Sequence, residues 1–293
     1  MRARIRDTEI YFDVEGVGLV PDGRRMRERP TAFILHGGPG ADHSVLRGCY
    51  GPLAQKMQLV YFDHRGQGRS ARGSPQQYTL DENVEDMEAL RQHLGLGPIV
   101  SLGTSYGGMV AMAHAARYPD SVSHLILVVT ASHAYHIARA KEIVAERGTA
   151  EQIALCDDLF SGRIDTPEKF RQYILGMGSL YARKEDLGLS ETGLDRAILS
   201  SEALNRAYAP DGHMRNFDLR PKLHLIMAPT LILAARHDWI CAPEFSEEIH
   251  QLIPGSDLRI FEESGHSIGA DEPQNLVDVI AGFLVHKTRQ GRK

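Results

Sequence analysis

The stretch Gly103-Thr104-Ser105-Tyr106-Gly107 constrains this chain more than any other. It follows a short apolar run, Pro98 to Leu102, and opens a segment of helical character, Met109 to Tyr118. G-x-S-x-G at a strand-to-helix junction is a nucleophile elbow. Its two glycines let the backbone turn sharply enough for the serine hydroxyl to stand clear of a sheet, and they leave space where a side chain would clash. Ordinary Gly/Ser turns produce the same five letters, so their weight depends on what the rest of the chain supplies.

The surroundings alternate between strand and helix. Residues 2 to 15 carry Ile5, Ile10, Phe12 and Val14 in the alternation of a two-stranded antiparallel hairpin. Gly16 to Pro30 reads as a loop, and its basic cluster Arg24 to Arg29 as a solvated excursion. Thr31 to Leu35 is a continuous apolar run, as in a strand covered on both faces, and it ends at His36-Gly37-Gly38-Pro39-Gly40. That loop exposes backbone N–H groups and fixes their direction, which suits it to meet a developing negative charge. A helix over Val45 to Lys56 leads to a strand at Gln58 to Phe62 and a shaped loop at Asp63 to Ser70, where Asp63 and Arg65 are expected to brace neighbouring loops. Thr79-Leu80-Asp81-Glu82 matches the T-x-x-E capping box, followed by Val84, Met87, Leu90 and Leu94 at near-helical spacing up to Gly95. With strands at Ile99 to Leu102 and His124 to Val129, the pattern predicts an α/β fold with a mostly parallel, doubly wound sheet.

Between Ser132 and Asn216 the rhythm breaks. A stretch of about eighty residues is too long for a simple crossover and predicts an inserted helical cap. The expected organisation is core 1–131, cap 132–216 and core 217–293. Tyr135, Phe160, Phe170, Tyr173, Met177, Tyr181 and Tyr208 are expected to divide between the cap's own core and a pocket. His133 and His136 are three apart, but no third ligand accompanies them and no metal site is expected. The sheet resumes at Thr230 to Ala234 and runs into Ala235-Arg236-His237-Asp238-Trp239. A helix over Pro243 to Leu252, a strand over Leu258 to Phe261, the turn Gly265-His266-Ser267 and an amphipathic helix over Pro273 to Val285 complete the pattern.

A serine, then an acid, then a histidine, each just past a strand, is the chain order of the α/β hydrolases. Ser105 is a poor nucleophile without a base to take its proton. His266 follows the last strand in a Gly-bounded turn that can carry its ring to the serine, and Asp238 would fix the imidazole tautomer. The oxyanion hole would combine the backbone N–H groups of Tyr106 and Gly38.

Other classes fit less well. A net charge of -5 and the lack of a basic stripe leave nothing to neutralise a phosphate backbone, so no nucleic-acid partner is expected. No apolar run approaches the length of a membrane span, and Met1 to Asp7 lacks the apolar segment of a secretory signal. Cys49, Cys156 and Cys241 are odd in number and widely spaced, which favours reduced thiols and a cytoplasmic setting. Oligomeric state is not readable. The expected partner is a small-molecule or short peptide substrate.

HGGPG at 36–40, DHRGQGRS at 63–70, GTSYGG at 103–108, the aspartate of RHDW at 236–239 and GHS at 265–267 together resemble the prolyl iminopeptidase group of the α/β-hydrolase superfamily. The resemblance covers roughly residues 3–131 and 217–287 and scarcely touches the cap. It implies a cofactor-free serine hydrolase with a helical cap. In the true peptidases it also implies removal of an N-terminal residue, often proline, while similar sequences include esterases, lactonases and amidases. Aminopeptidases of the group hold the substrate's amino group with acidic cap residues and, in some members, with a glutamate directly after the catalytic aspartate. Here that position is Trp239, expected to meet the substrate as an aromatic wall, which supplies no charge partner for an ammonium group. Glu185, Glu191 and Glu202 of the cap are possible substitutes. The leading expectation is hydrolysis of an ester, lactone or amide through an acyl-enzyme; the alternative is a hydrolase-derived ligand sensor with little turnover. An epoxide hydrolase or dehalogenase would need an aspartate where Ser105 stands.

Overall fold

The computed structural model describes residues 1–184 and 191–290. The chain opens with β1 (Arg2–Ile5) and β2 (Thr8–Glu15), paired antiparallel. Where a loop was expected, the chain forms a ribbon of β3 (Leu19–Asp22) and β4 (Arg25–Glu28), paired only with each other. Asp22-Gly23, with Gly23 at φ +61°, is the tight-turn signal that closes it. The ribbon carries much of the basic cluster, and its residues are largely exposed.

The wound core follows: β5 (Thr31–Leu35), α1 (Ser44–Tyr50), β6 (Gln58–Phe62), α2 (Leu80–His93), β7 (Ile99–Thr104), α3 (Tyr106–Arg117) and β8 (Val122–Val128). The helix expected over 45–56 is split, because Gly51-Pro52 converts its second half into a 3₁₀ turn, Gly51–Gln55. Thr79 caps α2 by accepting from the Glu82 N–H at 3.2 Å, but the Glu82 carboxylate pairs with Arg6 at 2.8 Å instead of closing the box. Five helices come next: α4 (His136–Arg147), α5 (Ala150–Phe160), α6 (Pro167–Tyr181), α7 (Glu191–Arg196) and α8 (Ser201–Tyr208). A complete capping box, Thr149 with Gln152, starts α5. The sheet then resumes with β9 (Thr230–Ala235), α9 (Pro243–Leu252), β10 (Asp257–Phe261), α10 (Ile268–Asp271) and α11 (Pro273–Gln290).

The eight-stranded sheet has the order β1-β2-β6-β5-β7-β8-β9-β10, antiparallel at β1-β2-β6 and parallel from β6 to β10. Continuous apolar strands follow from burial on both faces. Phe33, Leu35, Val60 and Phe62 join Val84, Met87 and Val110 on one side. Their alternating neighbours Ala32, Ile34, Leu59 and Tyr61 join Leu46, Tyr50, Leu276 and Ile280 on the other. All the parallel strands therefore end at one edge, where their loops meet, and that is where a ligand crevice forms in such sheets. Among the described residues no helix is long and apolar enough to cross a membrane.

Candidate active site

The elbow is built from steric necessity. Ser105, between β7 and α3, sits at φ 55°, ψ −121°, one of three non-glycine residues with positive φ among the described residues. Such a conformation costs on the order of 1–3 kcal/mol and must be held by its surroundings. Hydrogen bonds hold it: Ser105 N–H donates to Val128 C=O at 2.9 Å, and Ser105 C=O accepts from Thr130 Oγ1 at 2.8 Å, Gly108 N–H at 2.9 Å and Met109 N–H at 3.3 Å. A Cβ on Gly103 would lie 2.2 Å from Gly107 O, and one on Gly107 2.2 Å from Leu35 O. Gly108 faces Thr130 at 2.7 Å in the same way.

Asp238, just past β9 and 1% exposed, divides its two oxygens between two tasks. Oδ1 accepts from the backbone N–H groups of Ile240 and Cys241, both at 2.9 Å, and Oδ2 accepts from His266 Nδ1 at 2.8 Å. Because a carboxylate accepts, Nδ1 carries a proton, and in the neutral tautomer that this bond selects the lone pair lies on Nε2. The histidine turn is tied down as well. Gly265 N–H donates to Asp271 Oδ2 at 2.8 Å, Ser267 N–H donates to Tyr181 C=O at 2.8 Å, and the Tyr181 ring meets the imidazole edge-on at 5.5 Å.

The glycine loop after β5 lies against the elbow. A Cβ on Gly37 would stand 3.1 Å from Ser105 Cβ, and Gly38 adopts φ +118°. The sequence singles out Gly38; the space beside Gly37 is the one that Ser105 fills, a contact that spacing alone does not reveal. His36 is fully buried, its Nδ1 bonded to Gly37 C=O at 2.9 Å and its Nε2 accepting from His64 N–H at 3.2 Å, and burial lowers its pKa. Tyr106 begins α3, so its N–H has no partner within the helix. Asp63 and Arg65 brace loops: Asp63 accepts from His43 N–H at 2.9 Å and Arg69 N–H at 2.7 Å, and Arg65 makes a two-pronged pair with Asp86 at 2.6 Å.

Ser105 and His266 line one cavity of about 580 Å³, roofed by residues of α6 to α8. Its wall is mostly apolar. Four of the aromatics singled out in the sequence, Phe170, Tyr173, Tyr181 and Tyr208, face it, whereas Phe160 and Met177 are buried in the core and Tyr135 is exposed. Trp239 does not line it, contrary to expectation. The indole is 1% exposed and packs edge-on against Tyr181 at 5.5 Å, so it backs the wall. Among the described residues Arg196 is the one side chain at the cavity that is ordinarily charged at neutral pH, beside His266, and no carboxylate lines it. Glu202 is exposed in the first turn of α8; Glu185 and the side chain of Glu191 lie outside the described residues. His133 pairs with Glu248 at 2.9 Å and His136 bonds the His133 carbonyl at 3.0 Å.

A mostly parallel sheet wound in this order, with a serine elbow after a central strand, is the α/β-hydrolase architecture. The α/β-hydrolase fold family model matches residues 30–152. The chain is 31% identical over 281 residues to the proline iminopeptidase PfmaB of Pestalotiopsis fici, covering 94% of this chain and 98% of that one. Among solved structures, a proline iminopeptidase of Mycobacterium smegmatis superposes with TM-score 0.77 at 20% identity, covering 100% of this chain and 99% of that one. An esterase of Exiguobacterium antarcticum gives 0.73 at 23% identity, covering 96% and 98%. The chain belongs to the α/β-hydrolase family, in its proline iminopeptidase-like group, and is a serine hydrolase.

Proposed function

We propose that this hydrolase cleaves an ester, lactone or amide bond of a small, largely apolar substrate through an acyl-enzyme on Ser105. The observation that carries the reading is the placement of Ser105 and His266 on one apolar cavity, with His266 held by Asp238 at 2.8 Å. In this reading Ser105 Oγ attacks the carbonyl carbon while His266 Nε2 takes its proton, and Asp238 stabilises the imidazolium. The N–H groups of Tyr106 and Gly38 receive the oxyanion. The intermediate collapses as His266 returns the proton to the leaving alcohol or amine. Water, deprotonated by His266, then releases the acid. Residues 132–216 act as the cap that selects the substrate, and the three unpaired thiols fit a cytoplasmic setting.

The cavity wall supports uncharged substrates over free amines, since a desolvated ammonium group needs a carboxylate partner. The 31% identical relative named as a proline iminopeptidase favours the aminopeptidase as second reading. Prolyl and alanyl arylamides, each with free and blocked amino groups, distinguish the two alongside short-chain esters. Esterase action with equal rates on free and blocked amides is the expected result. A strong preference for the free amine would establish the second reading. A fluorophosphonate probe should add one covalent group at Ser105, and turnover that survives Ser105→Ala would refute the mechanism.

A further inference from the structure

Two tyrosines of the cavity wall form a unit that the reaction itself does not use. Tyr173 and Tyr181 lie eight residues apart on α6, a little over two turns, so their side chains leave the helix about 80° apart, within one broad face. Both face the cavity, and their hydroxyl oxygens are 2.8 Å apart. Tyr173 is 2% exposed. The Tyr181 ring is fixed edge-on between His266 and Trp239, 5.5 Å from each, which gives the buried Trp239 a purpose as the backing of this wall.

Counting protons shows what the unit lacks. Each hydroxyl has one proton to donate. One proton is used between the two oxygens, and whichever hydroxyl accepts that bond still carries its own proton. Among the described residues neither hydroxyl has another partner. Burial raises the pKa of both groups, so the pair stays neutral with both protons in place. Both hydroxyls face the cavity, so the remaining proton can be completed only by an oxygen that enters it, and along a mostly apolar wall an oxygen of the substrate is suited to that place.

We propose that the Tyr173–Tyr181 hydroxyl pair is a polar subsite that donates one hydrogen bond to a second oxygen of the substrate, a carbonyl or ether oxygen separate from the bond being cut. The enzyme then favours oxygen-bearing esters or lactones over plain hydrocarbon ones. This rests on the reading of Ser105 as the nucleophile. Neither tyrosine is a catalytic residue; the pair sets which substrate is held.

The test uses the full chain and matched substrates. One set is p-nitrophenyl hexanoate and its keto analogues, with the ketone moved along the chain. The other is a pair of benzoate esters whose alcohol portions differ by an ether oxygen in place of a methylene. A single neutral hydrogen bond corresponds to a preference of about three- to tenfold in kcat/KM for an oxygenated member over its hydrocarbon partner. In the double variant Tyr173→Phe/Tyr181→Phe, which removes both hydroxyl protons, that ratio should fall to about one. Taking the ratio within each protein cancels any general loss of active enzyme. If the double variant fails to fold, the two single variants carry the test: each keeps one hydroxyl, and the one lacking the hydroxyl that faces the substrate oxygen should show a reduced ratio. The subsite is overturned if wild type shows no oxygenated preference in either set, if the preference persists in the double variant, or if it persists undiminished in both single variants. Absence of turnover on every ester, with no fluorophosphonate adduct at Ser105, would overturn the hydrolytic reading and the subsite with it.

Discussion

Asp271 offers the sharpest mechanical test of the site. Its carboxylate is fully buried at the end of α10 and accepts three backbone N–H groups: Gly265 at 2.8 Å, Arg183 at 2.9 Å and Lys184 at 2.9 Å. Gly265 adjoins His266, and Arg183 and Lys184 lie just past the C-cap Ala182 of the roof helix α6, so one side chain fastens the histidine turn to the roof. Replacing Asp271 by alanine strands the buried Gly265 N–H, at about 1–3 kcal/mol, and removes two charge-assisted bonds from residues that can partly rehydrate. The expected loss is about 3–6 kcal/mol, a large fraction of a typical folding free energy. Asp271→Asn preserves volume and one acceptor oxygen but turns an amide N–H₂ toward a donor, so it should cost about 1–3 kcal/mol. Urea unfolding measures both. Because the bonds restrain the His266 turn, kcat should fall about ten- to a hundredfold in Asp271→Asn while KM changes little. An alanine variant within about 1 kcal/mol of wild type, with unaltered kcat, would refute the reasoning.

Three further outcomes follow from the same geometry. Gly103→Ala and Gly107→Ala each place a Cβ 2.2 Å from a backbone oxygen and should destabilise the fold by about 3 kcal/mol or more; thermal melting within a few degrees of wild type would contradict that. Ser105→Ala should lower kcat on any accepted ester by on the order of 10⁶, and a loss below a hundredfold would remove Ser105 from its proposed role. His136 is 1% exposed among Phe160, Phe217 and Phe245, and burial pushes its pKa down to about 4. A histidine depressed in the folded state contributes stability fully present above its unfolded pKa, about 6.5, and lost as pH falls from there toward about 4. The loss is about 3 kcal/mol over that window. Urea unfolding of His136→Gln should therefore vary less steeply with pH than wild type below 6.5, and equal slopes would exclude this contribution.

The sequence made the fold, and the residues that the structure brings together around Ser105, legible for one physical reason: backbone constraints are written in residue types. The apolar runs at Thr31–Leu35 and Gln58–Phe62 could only be strands covered on both faces, and Gly103 and Gly107 stand where any Cβ would strike the main chain. What resisted prediction depends on side-chain direction. Trp239 follows Asp238 in sequence, yet Asp238 Oδ1 is bound by the N–H groups of Ile240 and Cys241, and that turn buries the indole behind the cavity wall. The Asp22-Gly23 signal closed a ribbon within what reads as a basic loop, because local charge masked the turn chemistry. Asp271 and the Tyr173–Tyr181 pair were invisible for a deeper reason. Their partners are backbone groups or side chains brought together only by the tertiary arrangement, and no spacing of letters encodes them. The division is consistent across the molecule: the proposed nucleophile Ser105 is placed by local steric rules, whereas the proposed selection of substrate would depend on contacts between α6 and the histidine turn. Relatives that share the elbow while differing in the roof can therefore share the chemistry and part company on the bond they cut.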